Sequence, residues 1–195
     1  MFPIATPAAT VLFWTAVACW QLAELVVFLR GNSVRAPGSR HDHGSVWLVL
    51  GSGLLGFVLI VSTPFVVPWA RLSGGWVLFA AGIALVFLGI ALRLWAVRSL
   101  GQFFQPVVTI QSAHRLVTKG PYRAVRHPAY TGALLTLAGF GLAVGNGVAL
   151  AAAILVPVVG FLPRIVLEER ALLQAFGSDY VSYRKRSAHL VPGVW

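Results

Sequence analysis

The chain has 195 residues, 58% of them hydrophobic and 10% charged, and a mean hydropathy of +0.82, more apolar side chain than one soluble domain of this size buries. Its one cysteine, Cys19, excludes a disulfide framework and a thiolate zinc cluster. Fifteen Lys and Arg against five acids give a formal charge of +10, and where those charges fall excludes nucleic acid as the partner.

An uncharged run of about 18 residues is long enough to cross a hydrocarbon core of roughly 30 Å as a helix. Residues 1–23 carry no charge and the apolar stretch resumes after Glu24, while residues 46–70 and 72–92 are uncharged throughout; spans are predicted at 8–29, 46–68 and 74–96. The first lacks the basic leader of a cleaved signal peptide and exceeds the length of its apolar core, so it is expected to be retained. Within it, Glu24 costs roughly 2.5–3.5 kcal/mol near mid-bilayer and reads equally as a structural partner or as an acid lining a site. Residues 30–45, with His41-Asp42-His43, form a polar loop. Adjacent side chains on a loop seldom converge on one ion, so no metal is expected. Gly51-Ser52-Gly53-Leu54-Leu55-Gly56 has the spacing of a dinucleotide fingerprint but lies inside an apolar span. There, as at Gly141 and Gly145, small residues serve close helix approach.

Residues 129–163 form a stretch of 35 residues without a charge, too long for one ordinary crossing. A reversal at Gly145-Asn146-Gly147, a strong helix breaker, divides it into spans at 129–145 and 147–164. The same reversal collects fourteen of the fifteen basic residues on one side, with Arg71 opposite, as the positive-inside bias requires. The predicted fold class is therefore all-α: a polytopic membrane protein of five transmembrane helices, N-terminus outside and C-terminus inside. It reads as a single domain over 1–195, with a cytoplasmic helical tail over 165–195. Thirteen of the fifteen basic residues are arginine, which points to GC-rich coding and a bacterial cell membrane.

Two polar segments carry a chemical signal. The loop over residues 101–130 is long for a connection between packed helices. It contains His114-Arg115-Leu116-Val117-Thr118-Lys119-Gly120-Pro121-Tyr122 and Arg126-His127-Pro128-Ala129-Tyr130. Pro128 suits the first turn of a helix, so unsatisfied amides and the positive dipole end face the interface beside His127. By position alone, Arg126, His127 and Tyr130 are also accounted for as interfacial anchors. The second segment, Arg164-Ile165-Val166-Leu167-Glu168-Glu169-Arg170, leaves the last span as a helix that Gly177 should stop. Arg164 and Glu168 are i, i+4 neighbours in the less favourable order, and such pairs add only about 0.2–0.5 kcal/mol. Helix support alone is a thin reason for them.

These blocks, together with Phe176-Gly177-Ser178-Asp179-Tyr180 and Tyr183, resemble the isoprenylcysteine carboxyl methyltransferase family of integral-membrane, S-adenosylmethionine-dependent enzymes. The resemblance covers the C-terminal half; the first three spans match only in hydrophobicity. It implies a cytoplasmic pocket, formed by the 99–130 loop and the helical tail, in which His114, Leu116, Val117, Tyr122, His127, Pro128, Tyr130 and Glu168 hold S-adenosylmethionine. It also implies that Arg164 meets a lipophilic methyl acceptor entering from the bilayer, as catalytic and substrate-binding residue. A glutamine contact of the family falls on Thr109 or Gln111, which stays open. A carboxylate acceptor needs no general base near pH 7, whereas the amine of a phospholipid headgroup would need one, with His127 or Glu169 as candidates. An NADPH-dependent sterol-type reductase and a non-catalytic protein binding anionic lipid are the remaining alternatives. Oligomeric state is not legible in the sequence.

Overall fold

The computed structural model describes residues 6–33, 38–40, 44–104, 109–111 and 115–191. Five apolar helices occupy the stretches marked by the hydropathy pattern: α1 (Pro7–Ser33), α2 (Ser45–Val66), α3 (Gly75–Leu100), α4 (Pro128–Val144) and α5 (Gly147–Arg184). α1, α2, α3 and α5 are long and apolar enough to cross a membrane, and α4 is shorter, at 17 residues. The outer surface is apolar: Phe65, Trp69 and Val77 are more than three-quarters exposed, as is usual for side chains facing lipid rather than water. Single-turn 3₁₀ helices follow α2 and α3, and another, Gly120–Arg123, precedes α4.

The all-α expectation needs one amendment. Two short strands, β1 (Gly38–Arg40) and β2 (Thr109–Gln111), pair antiparallel, Gly38 opposite Gln111 and Arg40 opposite Thr109. This ribbon ties the connection after α1, expected to be a plain loop, to the long connection before α4. His41-Asp42-His43 lie outside the described residues.

Two packing devices hold the bundle. Phe140 of α4, fully buried, meets Phe13 and Trp20 of α1 and Phe57 of α2 at ring-centroid distances of 5.4–5.7 Å, an aromatic cluster with edge and tilted contacts. The second device is a four-glycine seam between α3 and α4. A Cβ on Gly89 would stand 2.5 Å from Thr136 N, one on Gly132 2.7 Å from Arg93 N, and one on Gly139 2.6 Å from Val86 N; one on Gly82 would strike the Ala143 backbone. The two glycines on each helix lie seven positions apart, so they share a face and let the two backbones touch. The glycine motif of α2 is different from expectation: a Cβ on Gly51 or Gly53 would meet nothing within 4 Å, and of the three only Gly56 is close to a neighbour, where a Cβ would stand 3.3 Å from Pro157 Cγ of α5.

The reversal between α4 and α5 falls at Gly145-Asn146. Gly145 ends α4 in the left-handed region, φ 69°, where glycine alone is unstrained. Asn146 caps α5: its Oδ1 accepts from Val148 N (2.9 Å) and Ala149 N (3.1 Å), while its Nδ2 donates to Val67 O at 2.9 Å. Leu72 N donates to Gly145 O at 2.9 Å, so the turn is fastened to the α2–α3 connection at that end of the bundle. At the other end, α5 does not stop at Gly177 as expected. Gly177 (φ 50°, ψ −121°) breaks the helical geometry, and the helix then resumes to Arg184.

Candidate active site

The end of the bundle opposite that reversal carries the polar residues. Pro128 occupies the first position of α4 and lacks an N–H that would otherwise be unsatisfied. His127 before it (φ −122°, ψ 56°) lies outside the helical region, which a following proline disfavours. One turn into α4, Tyr130 faces the stretch of α5 that has just left its apolar segment. Its hydroxyl donates to Glu168 Oε1 (2.7 Å) and accepts from Arg164 Nε (2.7 Å). Arg164 Nε also lies 3.1 Å from Glu168 Oε1, and Arg164 Nη1 donates to Ser45 Oγ at 3.3 Å. The i, i+4 pair therefore forms, but as two corners of a triangle whose third is a tyrosine on another helix. Arg164 is 4% exposed, so its guanidinium plane is held from three sides.

Behind this triangle lies a second network centred on Glu169. Arg126 Nε (2.9 Å), His189 Nε2 (2.7 Å) and His127 Nε2 (3.3 Å) converge on Glu169 Oε1, with Arg184 Nε at 3.6 Å from Oε2. His127 links the two networks through its Nδ1, 3.5 Å from Glu168 Oε2. The segment after α5 places His189 here by running beside the approach to α4: Arg126 N donates to Ala188 O (2.8 Å), His127 N to His189 O (3.2 Å) and Thr131 Oγ1 to Leu190 O (2.7 Å). Burial opposes protonation of His127, but its hydrogen bonds to Glu168 and Glu169 and their negative charges outweigh this and raise its pKa above the ordinary 6.5. His189 moves the other way. Its burial and the nearby Arg126 and His127 charges lower it despite the contact with Glu169.

The ligand atoms of His127, Glu169 and His189 lie within 4.8 Å of one another, a set that could surround a metal ion. Two guanidinium groups on the same carboxylate oppose a divalent cation there, and the arrangement is that of an ion-pair network.

Of the residues singled out in the sequence, Tyr130, Arg164, Glu168 and His127 are joined directly, with Pro128 setting the start of α4. Tyr122 is buried beside them, its backbone oxygen accepting from Tyr183 Oη at 2.7 Å; burial pushes its phenol well above the usual range. Leu116 and Val117 are half-buried in the irregular stretch before Gly120 and do not enter the hydrogen-bonded network among the described residues. His114 lies outside the described residues; Thr109 and Gln111 sit on β2. Sequence reasoning missed Ser45 and His189, a lone serine opening an apolar helix and a histidine in a basic tail, which carry no local pattern. Glu24 is a structural partner: its carboxylate meets Arg93 Nε at 2.6 Å and Nη2 at 2.8 Å.

Comparison with known proteins places the chain among methyltransferases. The family model described as phospholipid methyltransferase matches residues 77–179. Protein-S-isoprenylcysteine O-methyltransferase B of Arabidopsis thaliana is 34% identical over 131 residues, 66% of this chain and 66% of that one. A probable protein-S-isoprenylcysteine O-methyltransferase of Oryza sativa subsp. indica is 31% identical over 175 residues, 86% of this chain and 92% of that one. The enzyme of Schizosaccharomyces pombe is 35% identical, with 48% of its length matched. The fold is similar to that of a eukaryotic intramembrane Ras methyltransferase, isoprenylcysteine carboxyl methyltransferase, with a TM-score of 0.67 at 24% identity over 98% of this chain and 70% of that one. Fold and relatives together define a multi-pass membrane methyltransferase. Within that class, the chain belongs to the isoprenylcysteine carboxyl methyltransferase family. These relatives are eukaryotic, so they add nothing to the bacterial source expected from arginine usage.

Proposed function

We propose that the protein transfers a methyl group from S-adenosylmethionine to the carboxylate of an isoprenylcysteine-like lipid, at the end of the bundle where α4 begins and α5 leaves its apolar segment. The observation that carries this reading is the Arg164–Tyr130–Glu168 triangle, a fixed guanidinium beside a carboxylate at the margin of apolar helices. In this reading α4 also crosses the bilayer, giving five crossings, with the C-terminal tail and the site on the cytoplasmic side.

The donor set fits the cofactor. Glu168 Oε1 is taken by Tyr130 and Arg164, whereas Oε2 faces His127 at 3.5 Å and the side chain is a quarter exposed, so acceptor capacity remains for a hydroxyl or amino group. When bound, S-adenosylmethionine supplies an electrophilic methyl group. His127 and Glu168 hold the donor side, with Tyr122 and the Leu116 and Val117 backbone as further walls and His114 as a partner on the preceding segment. Arg164 orients the acceptor carboxylate by charge-assisted hydrogen bonds. Tyr130 and Glu168 fix the plane of that guanidinium, so little reorganisation accompanies attack. Phe161, whose ring centroid is 5.1 Å from that of Tyr130, and Ile165 keep water from the same side.

An ionised carboxylate attacks without losing a proton, and this matches the groups present. Glu169 is engaged by two arginines and two histidines, and His127 favours its protonated form, so neither serves as the free base that an amine acceptor requires. The test is methylation by detergent-purified protein, with labelled S-adenosylmethionine and an S-prenylated cysteine bearing a free carboxylate. The expected product releases its label in mild alkali, as an ester does. An alkali-stable label on a lipid amine would replace this reading with headgroup N-methylation.

A further inference from the structure

Between α1 and α3 lies a groove of about 270 Å³ lined by Cys19, Leu22, Ala23 and Val26 of α1 and by Ile90, Leu94 and Val97 of α3, with Arg30 and Arg98 also on its wall. We propose that this groove binds one anionic glycerophospholipid of the surrounding bilayer, an acyl chain along the apolar wall and the phosphate between Arg30 and Arg98.

Three observations carry the assignment. The lining positions on α1 (19, 22, 23, 26, 30) and on α3 (90, 94, 97, 98) recur at helical spacing, so each set forms one stripe running along its helix to an arginine near the C-terminal end. Both arginines are exposed and, among the described residues, make no ion pair. No acid on α1 or α3 is left to neutralise them: α1 carries Glu24, which Arg93 occupies at 2.6 Å, and α3 carries none. Elsewhere, Glu168 and Glu169 are committed to the site networks. An apolar groove ending in two guanidiniums that make no ion pair among the described residues is complementary to a molecule with a hydrocarbon chain and a phosphate at one end. Basic pockets between membrane helices recognise lipid headgroups in this way. Arginine suits the task because its fork pairs with phosphate oxygens bidentately.

Cys19, the chain's only cysteine, lines the groove and reports on its occupancy. The full chain is placed in nanodiscs of phosphatidylcholine alone or with a graded fraction of phosphatidylglycerol, and the rate of Cys19 alkylation by a neutral maleimide is measured. Phosphatidylglycerol is expected to slow alkylation about thirtyfold, the combined effect expected of two surface cations acting on one phosphate. The Arg30→Ala/Arg98→Ala variant should alkylate at one rate in both bilayers, the Arg30→Lys/Arg98→Lys variant should keep most of the protection, and Arg123→Ala/Arg186→Ala should leave it intact. Equal rates for the parent chain in the two bilayers would overturn the proposal. So would protection surviving in the double-alanine variant, or protection by inorganic phosphate in phosphatidylcholine alone, which would assign the pair to a free anion. The readout involves no methyl transfer, so it stands or falls apart from the proposed activity.

Discussion

Arg93 of α3 bridges Glu24 and the first turn of α4: its Nε and Nη2 meet the Glu24 carboxylate at 2.6 and 2.8 Å while its Nη1 donates to Ala129 O at 3.0 Å. Ala129 immediately precedes Tyr130, so an ion pair between two apolar helices fixes the backbone that presents the tyrosine to Arg164. The pair is partly exposed, 18% and 29% by side chain, which moderates the cost of losing it.

Glu24→Leu leaves Arg93 without its counter-charge and is expected to lower stability by about 1–3 kcal/mol, the range for a charged hydrogen bond lost while its partner stays behind. Glu24→Gln, which keeps an acceptor, should cost less. Thermal unfolding in detergent checks both, and the Glu24→Leu/Arg93→Leu double variant should recover part of the loss as a coupled pair does. Strict additivity of the two single losses would show that the contact carries no coupling energy.

Tyr130→Phe removes the hydroxyl that joins Arg164 to Glu168 and keeps the ring on Phe161. Methylation of a prenylated cysteine is expected to fall about tenfold in kcat/KM, equivalent to about 1.4 kcal/mol of lost positioning, with little change in unfolding temperature. Arg164→Lys should not rescue Arg164→Ala, because a single ammonium cannot hold Tyr130, Glu168 and Ser45 as the planar fork does. Full activity in Tyr130→Phe would remove the hydroxyl from the working site.

The parts of this arrangement legible in the sequence are those encoded locally. Gly145-Asn146-Gly147 announces a reversal because a left-handed glycine and a capping asparagine are adjacent in the chain, and Pro128 marks a helix start by its ring. Residues whose role depends on a distant partner were not legible. Gly82, Gly89, Gly132 and Gly139 are unremarkable singly, and only the facing helix shows that each pair lines one seam. The pairing of β1 with β2 joins segments some seventy positions apart with no alternation to mark either strand. His189 reaches Glu169 because the tail runs beside residues 124–127. Gly177 has the residue type of a helix stop, but tertiary contacts of Tyr180 and Tyr183 carry the helix past it: Tyr180 is fully buried and Tyr183 bonds to Tyr122.

The glycine seam gives a paired prediction on packing. Gly89→Ala forces a methyl against Thr136 N, where a Cβ would stand at 2.5 Å, and Gly139→Ala does the same against Val86 N at 2.6 Å. Backbone cannot move aside as a flexible side chain can, so each should destabilise by about 1–3 kcal/mol. Gly51→Ala and Gly53→Ala meet nothing within 4 Å and remove helix-interior glycines, so they should leave stability unchanged or raise it by up to about 1 kcal/mol. Unfolding midpoints of the four variants in one detergent decide it. A loss at Gly51 or Gly53 matching that at Gly89 would mean that the Gly51–Gly53 face of α2 is packed against something other than lipid.

The raised pKa of His127 fixes the sign of a pH dependence. The groups facing its ring are Glu168 and Glu169 of α5, with Arg126 before α4, Tyr130 within it and His189 in the tail. Because the folded pKa exceeds the unfolded value of about 6.5, the stabilisation from protonated His127 is complete below that value and is lost as pH rises through the folded pKa. His189, whose pKa is lowered, has its opposing effect at lower pH, where protonation penalises the folded state. The unfolding temperature of the parent chain minus that of His127→Gln should therefore be largest at pH 6 and shrink with increasing pH, while the His189→Gln comparison shows no such decline above pH 7. A difference that grows with pH would require a neutral His127 between the two glutamates. Glu169 would then be held by Arg126, Arg184 and His189, and Glu168 by Arg164 and Tyr130.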